Sequence, residues 1–255
     1  MLKRIVALVI VLTVTASSVF AASPLEREIN NDIRGFDGRV GIYAKNLRTG
    51  KVIDYHKDEI FPTASTSKLV VALAAYKYLY NRADGEKKEL YDSDVKYMLT
   101  ISDNASFDEL LNEISLYKPD ALKKVAQDLR LKQTQIHSEE AFQRYQYHSV
   151  TTPYEMSKVF ENIYREKYLD REKSKVLKDE LANTIFHDEI PRYMLTPVMH
   201  KVGELDDVLC DVGVVDDGRD PILISAYTVT GNSEQYASDF IAGISAKLYN
   251  ALRRK

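Results

Sequence analysis

The chain has 255 residues, of which 45% are hydrophobic and 29% charged, with only 10 glycines and 7 prolines. This composition excludes collagen-like, low-complexity and disordered chains, and the length predicts one substantial hydrophobic core. Lysine and arginine together number 35 against 38 acidic residues, and no basic run interleaved with aromatic residues stands out. A nucleic-acid-binding function is therefore not expected.

The first twenty-one residues have the pattern of an export signal. Lys3 and Arg4 form a basic start, residues 5–14 are almost entirely apolar, and Val19-Phe20-Ala21 resembles a small-residue cleavage site. The apolar stretch is short for a membrane anchor, so cleavage and export to the periplasm or the extracellular space are expected. The mature chain, residues 22–255, is then mildly acidic.

Cysteine and histidine usage limits the chemistry that the chain can perform. Cys210 is the only cysteine, so no intramolecular disulfide can form, and its apolar surroundings favour a small buried side chain over a thiolate nucleophile. The five histidines are scattered and form no metal-binding pattern. We expect neither a metal nor another cofactor.

The predicted elements begin with a helix that Ser23-Pro24-Leu25-Glu26 starts and that runs to about Ile33. Strands follow at residues 40–47 and 51–55, joined by Arg48-Thr49-Gly50, and then a long helix at residues 66–82. From there to about residue 192 the sequence pattern predicts further helices joined by loops. Strand patterns return at residues 198–202, 208–215 and 222–229, before an amphipathic helix at residues 233–252.

This order predicts a single α/β domain in which both ends of the chain supply one antiparallel sheet. Residues 22–60 and 198–255 would form the sheet and its covering helices, and residues 61–197 a helical subregion. No internal repeat or linker separates the two parts.

Ser65 and Lys68 lie one helical turn apart where the long apolar helix begins. A lysine in that position can approach the serine hydroxyl and act as its base, and a helix N-terminus favours negative charge nearby. The spacing alone is weak, because it also occurs at Ser93 and Lys96 and at Ser115 and Lys118. Without further signals, Ser65 is better explained as a helix cap.

Two later segments strengthen the case for catalysis. Ser102-Asp103-Asn104 lies between helical stretches, and His200-Lys201-Val202-Gly203 ends a strand. Serine with lysine one turn later, then Ser-Asp-Asn, then Lys-x-Gly, in this order, is the motif set of class A β-lactamases and penicillin-binding proteins. The sequence resembles that superfamily over most of the mature chain, including Thr151-Thr152-Pro153. The resemblance implies an antiparallel five-stranded sheet flanked by helices, with an all-helical subregion.

The resemblance also implies a role for each matching residue. Ser65 would be acylated, Lys68 would be its base, and Ser102 would pass a proton to the leaving group. Substrate binding would involve Asn104, Lys201, Gly203 and Leu205: Asn104 would bind the substrate amide, and Lys201 would attract a substrate carboxylate. The backbone amides of Ser65 and of Leu205, just after Gly203, would form the oxyanion hole. Asp103 would be structural.

The sequence departs from the family pattern at two places. Val202 replaces the usual threonine of Lys-Thr-Gly, which removes a hydroxyl that would bind the substrate carboxylate. In the omega loop, Glu140 aligns with the glutamate that activates the hydrolytic water, but the loop from Glu140 to Pro153 is short. Two charged residues that form ion pairs in the family's omega loop, an arginine and an aspartate, are replaced here by Ser138 and Ser149. The asparagine of the family's loop is replaced by Arg144. Glu140 is therefore a candidate deacylating base, with a plain surface carboxylate as the alternative.

Three functions follow from these observations. The first is an exported serine hydrolase that opens β-lactams through a Ser65 acyl-enzyme and releases them with Glu140-activated water. The second is a D-Ala-D-Ala carboxypeptidase or penicillin-binding protein that acts on peptidoglycan stem peptides and deacylates slowly. The third is a catalytically silent binding protein with the same fold. In each case we expect a monomer, without metal or nucleic acid.

Overall fold

The structure, a computed structural model, describes residues 23–253; the predicted export signal lies outside them. The strands are β1 (Arg39–Asn46), β2 (Val52–Tyr55), β3 (Phe61–Pro62), β4 (Val150–Thr151), β5 (Val198–Leu205), β6 (Val208–Val215) and β7 (Ile222–Val229). The α-helices are α1 (Pro24–Gly35), α2 (Ser67–Ala74), α3 (Gly85–Thr100), α4 (Asn104–Tyr117), α5 (Ala121–Asp128), α6 (Glu139–Tyr145), α7 (Pro153–Tyr164), α8 (Arg171–Ala182) and α9 (Glu234–Leu252).

Five strands form one antiparallel sheet in the order β2-β1-β7-β6-β5. Strands from the two ends of the chain meet where β1 pairs with β7 along its whole length, from Arg39 opposite Val229 to Asn46 opposite Ile222. The predicted α/β fold class is therefore confirmed. Strand β5 lies at an edge of the sheet and leaves one side of its backbone unpaired with other strands.

Each face of the sheet is covered by its own hydrophobic cluster. On one face α1 and α9 pack over sheet side chains such as Ile42 and Ile224, and α9 contributes Ile241 to the same cluster. On the other face the helical subregion packs around α2, whose eight residues are all buried, together with Leu99 and Phe160. Helix α2 is therefore held rigidly at the centre of the molecule, and the residues at its start are fixed relative to the sheet.

Two elements differ from the sequence-based expectation. The helix predicted for residues 66–82 is α-helical only through Ala74, then forms a π turn at Ala75–Leu79 and a 3-10 turn at Tyr80–Arg82. Within the stretch predicted as helical, β3 and β4 pair through Phe61 with Thr151 and Pro62 with Val150. This short pair joins the segment before Ser65 to the segment after the omega loop. Across residues 23–253, the helices include none that is long and apolar enough to cross a membrane.

Candidate active site

Ser65 lies in a 3-10 turn, Ala64–Thr66, that leads directly into α2. The turn is held by its own side chains, since the Thr66 hydroxyl donates to the Thr63 carbonyl oxygen at 2.6 Å and the Ser67 hydroxyl to that of Ala64 at 2.8 Å. Ala64 has a positive φ of 43°, which is costly for a residue with a Cβ. Backbone strain of this kind is typical of functional turns, and Ser65, the next residue, lines the cavity described below.

Lys68 connects Ser65 to the Ser-Asp-Asn segment. Its Nζ donates to Ser65 Oγ at 3.0 Å, as the one-turn spacing predicts. It also donates to the Ser102 carbonyl oxygen at 2.7 Å, to Ser102 Oγ at 3.2 Å and to Asn104 Oδ1 at 2.7 Å. The Lys68 amine thus contacts the hydroxyls of both Ser65 and Ser102.

Burial lowers the pKa of Lys68 to about 8, and the charges of Asp103 and Asp108 oppose the shift only in part. A larger fraction of neutral amine is therefore present near pH 7 than for an ordinary lysine. Within residues 23–253, no carboxylate accepts a hydrogen bond from this amine. Lys68 is consequently placed to act as a base rather than as half of an ion pair.

The loop between α3 and α4 presents Ser102 and Asn104 to Lys68. Ser102 adopts a left-handed conformation with φ of 57°. Asp103 caps α4, because its carboxylate accepts from the Ser106 amide at 2.7 Å, and this bond lowers the pKa of Asp103. Asp103 therefore has the structural position expected from the sequence, and its cap fixes the residues on either side of it.

Lys201 reaches Ser102 from the sheet edge. Its Nζ donates to Ser102 Oγ at 2.9 Å and to the Val202 carbonyl oxygen at 2.7 Å, and the side chain is fully buried. Burial, together with the positive charge of Lys68, lowers the pKa of Lys201 to about 7. Ser102 Oγ thus lies between two amines whose pKa values are both lowered.

Gly203 allows β5 to approach the nucleophile closely. A Cβ at this position would lie 2.7 Å from Ser65 N and 3.0 Å from both Ala64 Cβ and Cys210 Sγ. The single cysteine packs against the other side of this contact, where Cys210 Sγ donates to the carbonyl oxygens of Thr63 and Gly203, each at 3.4 Å. Burial raises the pKa of the Cys210 thiol, which agrees with the structural role predicted from the sequence.

The strand pairing favours Glu204 over Leu205 as the second oxyanion-hole donor. Leu205 pairs with Val208 across a two-residue turn, and the closing pair of such a hairpin exchanges both of its backbone hydrogen bonds. Its amide therefore faces β6. Backbone direction alternates along an antiparallel strand, so the amide of Glu204 faces away from β6, next to Gly203 and Ser65.

Glu140 is not brought into this group. It lies exposed on the first turn of α6, does not line the cavity at Ser65 and takes no part in the hydrogen bonds of Lys68. The short omega loop is instead closed on itself by one backbone bond, from Ser138 N to the His148 carbonyl oxygen at 2.7 Å, and by one bond to a side chain, from His137 N to Ser149 Oγ at 3.0 Å. The two serines that replace charged family residues thus hold the loop without ion pairs.

The catalytic groups open into a cavity of about 390 Å³. One wall carries Ser65, Ser102 and Asn104, and another carries Val202 and Glu204 of β5. The opposite wall is formed by the segment before β5 and by the start of α9, and its side chains are Phe186, His187, Asp188, Glu189, Arg192, Glu234, Gln235 and Ser238. No local pattern predicts this wall, because the fold assembles it from segments more than forty residues apart.

A buried pair fixes that wall and was also missed from the sequence. His200 and Asp211 are both fully buried and lie 2.9 Å apart, and the charge of Asp211 raises the pKa of His200 against the effect of burial. The other ring nitrogen of His200 is 3.0 Å from the Phe186 carbonyl oxygen, and Asp211 accepts from the Ile190 amide at 3.1 Å. His200 is adjacent to Lys201 in the sequence motif, but its pairing with Asp211 follows only from the register of β5 and β6.

Ser65, Lys68, Ser102 and Lys201 form one hydrogen-bonded group, an arrangement that a serine acyl-transfer reaction requires. The model of the family described as "Beta-lactamase enzyme family" matches residues 24–93 and 92–252. The chain therefore belongs to the β-lactamase enzyme family, as its motif order indicated.

Solved structures with this fold are similar to the chain at low identity. A β-lactamase from Chitinophaga pinensis is 18% identical, with a TM-score of 0.78 over 91% of this chain and 100% of that one. A class A β-lactamase from Mycobacterium abscessus is 18% identical, with a TM-score of 0.76 over 88% and 98%. PBP-A is 20% identical, with a TM-score of 0.76 over 89% and 95%. A mutant of PBP-A has been solved as an acyl-enzyme complex with penicillin G. At these identities the comparison establishes the fold.

Proposed function

We propose that the chain is a serine hydrolase that forms an acyl-enzyme on Ser65 and releases it slowly. The observation that carries this proposal is the set of hydrogen bonds from Lys68 to Ser65, Ser102 and Asn104, in a site to which no omega-loop carboxylate contributes. Acylation needs a base such as Lys68 next to the Ser65 hydroxyl. Fast deacylation in a class A enzyme needs a glutamate base in addition. The site therefore resembles that of a penicillin-binding protein more than that of an efficient β-lactamase.

Acylation begins when neutral Lys68 removes the proton from Ser65 Oγ, 3.0 Å away. The serine oxygen bonds to the acyl carbon, and the leaving group departs with a proton delivered through Ser102. Ser102 Oγ can return that proton because it is 3.2 Å from Lys68 Nζ and 2.9 Å from Lys201 Nζ. The backbone amides of Ser65 and Glu204 would stabilise the oxyanion.

Two substrate classes remain for the acyl group, as the sequence indicated: β-lactams and the D-Ala-D-Ala ends of peptidoglycan stem peptides. Both form the same Ser65 ester, and they differ in how soon a water removes it. A long-lived ester favours the peptidase class, in which penicillin is an inhibitor. The structure of a PBP-A mutant as an acyl-enzyme complex with penicillin G supports acylation as the reaction of this fold.

The rate of acylation is expected to rise with pH. The base is the neutral form of Lys68, whose pKa is lowered to about 8, so protonation at lower pH removes the base. Between about pH 6 and about pH 8 the acylation rate constant should increase by roughly tenfold per pH unit and then level off. Stopped-flow measurement with a chromogenic β-lactam gives this profile, and a rate independent of pH over that range would contradict the role of Lys68.

The substitution Glu140→Gln is expected to change the lifetime of the acyl-enzyme by less than about twofold, because the side chain is exposed and outside the cavity. The decay of the Ser65 adduct after removal of excess drug measures this lifetime. Glu139→Gln on the same helical turn is the matched control. Loss of deacylation by Glu140→Gln alone, about a hundredfold or more, would restore Glu140 as the hydrolytic base.

We also propose that the protein acts outside the cytoplasm after cleavage behind Ala21. The basic start, apolar stretch and small-residue site at residues 1–21 support export. The intact mass of the protein isolated from the periplasm or medium of an expressing cell tests this, since a mass starting at Ala22 is expected.

A further inference from the structure

Behind the wall of the cavity lies a buried charge pair that the proposed mechanism does not use. His200 and Asp211 belong to the neighbouring strands β5 and β6, and their side chains are 1% and 0% exposed. His200 Nδ1 lies 2.9 Å from one carboxylate oxygen of Asp211 and 3.0 Å from the other. Burying two opposite charges costs free energy, which good geometry and further hydrogen bonds must offset. The further hydrogen bonds of this pair lead to the cavity wall.

Both ring nitrogens of His200 face groups that can only accept a hydrogen bond. Nδ1 faces the carboxylate of Asp211, and Nε2 lies 3.0 Å from the carbonyl oxygen of Phe186. A neutral imidazole carries one N–H and can donate to only one of these acceptors, whereas an imidazolium donates to both. The geometry therefore indicates a doubly protonated ring.

The charges around His200 favour the protonated ring. Burial acts to lower the pKa of His200, but it is outweighed by the charge and hydrogen bond of Asp211, the bond to the wall carbonyl and the charge of Glu189. The pKa of His200 is therefore raised above its ordinary value. The proton is retained in the folded protein to a higher pH than in the unfolded chain.

Other polar groups near the pair are directed elsewhere. Lys201, the neighbour of the histidine in β5, has its side chain on the opposite face of the strand. In the segment before β5, Asp188 lies 3.9 Å from Arg192. Helix α9 presents the hydroxyl of Ser238, which donates to Glu189 Oε1 at 2.9 Å. The charges that act on the ring are therefore those of the two carboxylates, on β6 and in the segment before β5.

The buried pair holds the wall segment at two points. The carbonyl oxygen of Phe186 accepts from the histidine ring, and the Phe186 side chain lines the cavity with its ring centre 5.6 Å from Lys201 Nζ. Four residues later, the Ile190 amide donates to Asp211 at 3.1 Å. The pair thus fixes both ends of residues 186–190 beside the catalytic groups.

From this geometry we propose that His200 is a positioning residue for the acylation of Ser65. Its ring donates to Asp211 and to the Phe186 carbonyl at once, and so sets the position of residues 186–190 across the cavity. A ring with one proton would keep it toward the carboxylate, where the bond is charge-assisted, and would turn a lone pair toward the carbonyl. The wall would then be released and the substrate less well held. The proposal rests on the proposed acyl-enzyme function.

Two substitutions remove the ring charge but keep different donors. The side-chain amide nitrogen of asparagine lies near the position of Nδ1, and that of glutamine near Nε2. His200→Asn therefore keeps a donor toward Asp211 and loses the donor toward Phe186, whereas His200→Gln does the reverse. If His200 served only as the partner of Asp211, the asparagine variant would be the more active of the two. The positioning role predicts the opposite order.

We expect His200→Asn to lower the second-order rate constant for acylation by a chromogenic β-lactam about tenfold, and His200→Gln to stay within about threefold of wild type. Thermal unfolding shows whether each variant keeps its fold. His56→Asn is the matched control, because His56 is an exposed histidine 3.2 Å from Glu59 and does not line the cavity. Asparagine also tolerates the positive φ of 46° at this position. Acylation of His200→Asn as fast as that of His200→Gln, or faster, would overturn the positioning role.

The protonation state is measured on the wild-type protein, so it does not depend on the folding of a variant. Two-dimensional ¹H–¹⁵N NMR of the imidazole nitrogens, assigned through the backbone, should show both nitrogens of His200 protonated. This state should persist above the pH at which the histidines of the urea-unfolded chain lose their protons. An unprotonated Nε2 in the folded protein below that pH would overturn the proposal.

The two measurements separate this proposal from the acyl-enzyme function. Ser65-dependent acylation with equal rates in the two His200 variants would overturn the positioning role and leave the acyl-enzyme function standing. Absence of Ser65-dependent acylation in the wild-type protein would overturn the acyl-enzyme function, and the role of His200 in acylation with it, even with a doubly protonated ring.

Discussion

Replacing Lys68 with methionine is expected to slow the acylation of Ser65 about a thousandfold, the scale of a lost general base. Methionine keeps the length and much of the packing of the buried side chain but cannot accept the serine proton. It also removes the donor to the Ser102 carbonyl oxygen and to Asn104 Oδ1. The measurement is the second-order rate constant for adduct formation with a β-lactam, followed by intact mass.

Lys68→Arg separates the loss of the base from the loss of the charge. Arginine retains a cation near Ser102 and Asn104 but stays protonated at every accessible pH, so it should be as slow as Lys68→Met. Thermal unfolding of each variant shows whether the fold persists. Acylation of Lys68→Met within about tenfold of the wild-type rate would mean that another group activates Ser65.

Replacing Gly203 with alanine is expected to reduce acylation at least about a hundredfold and to destabilise the protein by about 1–3 kcal/mol, the usual cost of overpacking. The new Cβ would lie 2.7 Å from Ser65 N, a backbone atom that cannot move without displacing the nucleophile. The same atom would push β5 away and so displace the Glu204 amide from the oxyanion position. Adduct formation and chemical denaturation measure the two effects.

Gly243→Ala is the matched control for this substitution. Gly243 lies inside α9, and a Cβ there would meet no heavy atom within 4 Å. Alanine should leave acylation unchanged and stabilise the helix by up to about 1 kcal/mol. If Gly203→Ala behaved like Gly243→Ala, the contact between β5 and Ser65 would not matter for the reaction.

The sequence was most informative where a local pattern determines a local structure. Ser23-Pro24-Leu25-Glu26 predicted the start of α1, and the structure shows a capping box in which Ser23 and Glu26 bond to each other's backbone amides. The spacing of Ser65 and Lys68 predicted their contact, because one helical turn fixes it. Strand patterns at both ends of the chain predicted the antiparallel sheet.

The sequence was least informative where distant segments meet. The alignment of Thr134 and Ile136 with the family pattern assigns Glu140 to the omega-loop glutamate, but a shortened loop changes which side chains face the site. Leu205 and Glu204 are neighbours in sequence, and only the register of the β5–β6 hairpin shows which amide faces Ser65. The cavity wall opposite Ser65 has no local signature at all, since Asp188 and Glu234 come together through tertiary structure alone.

The most direct test of the account is intact-protein mass spectrometry of the chain with benzylpenicillin and with its methyl ester, followed over time. A single adduct that maps to Ser65, forms with at least one of the two compounds and persists after the excess is removed is the predicted result. Ser65→Ala should give no adduct. An adduct that disappears within seconds while drug is consumed would contradict slow deacylation, and no adduct with either compound at high concentration would contradict the acyl-enzyme function itself.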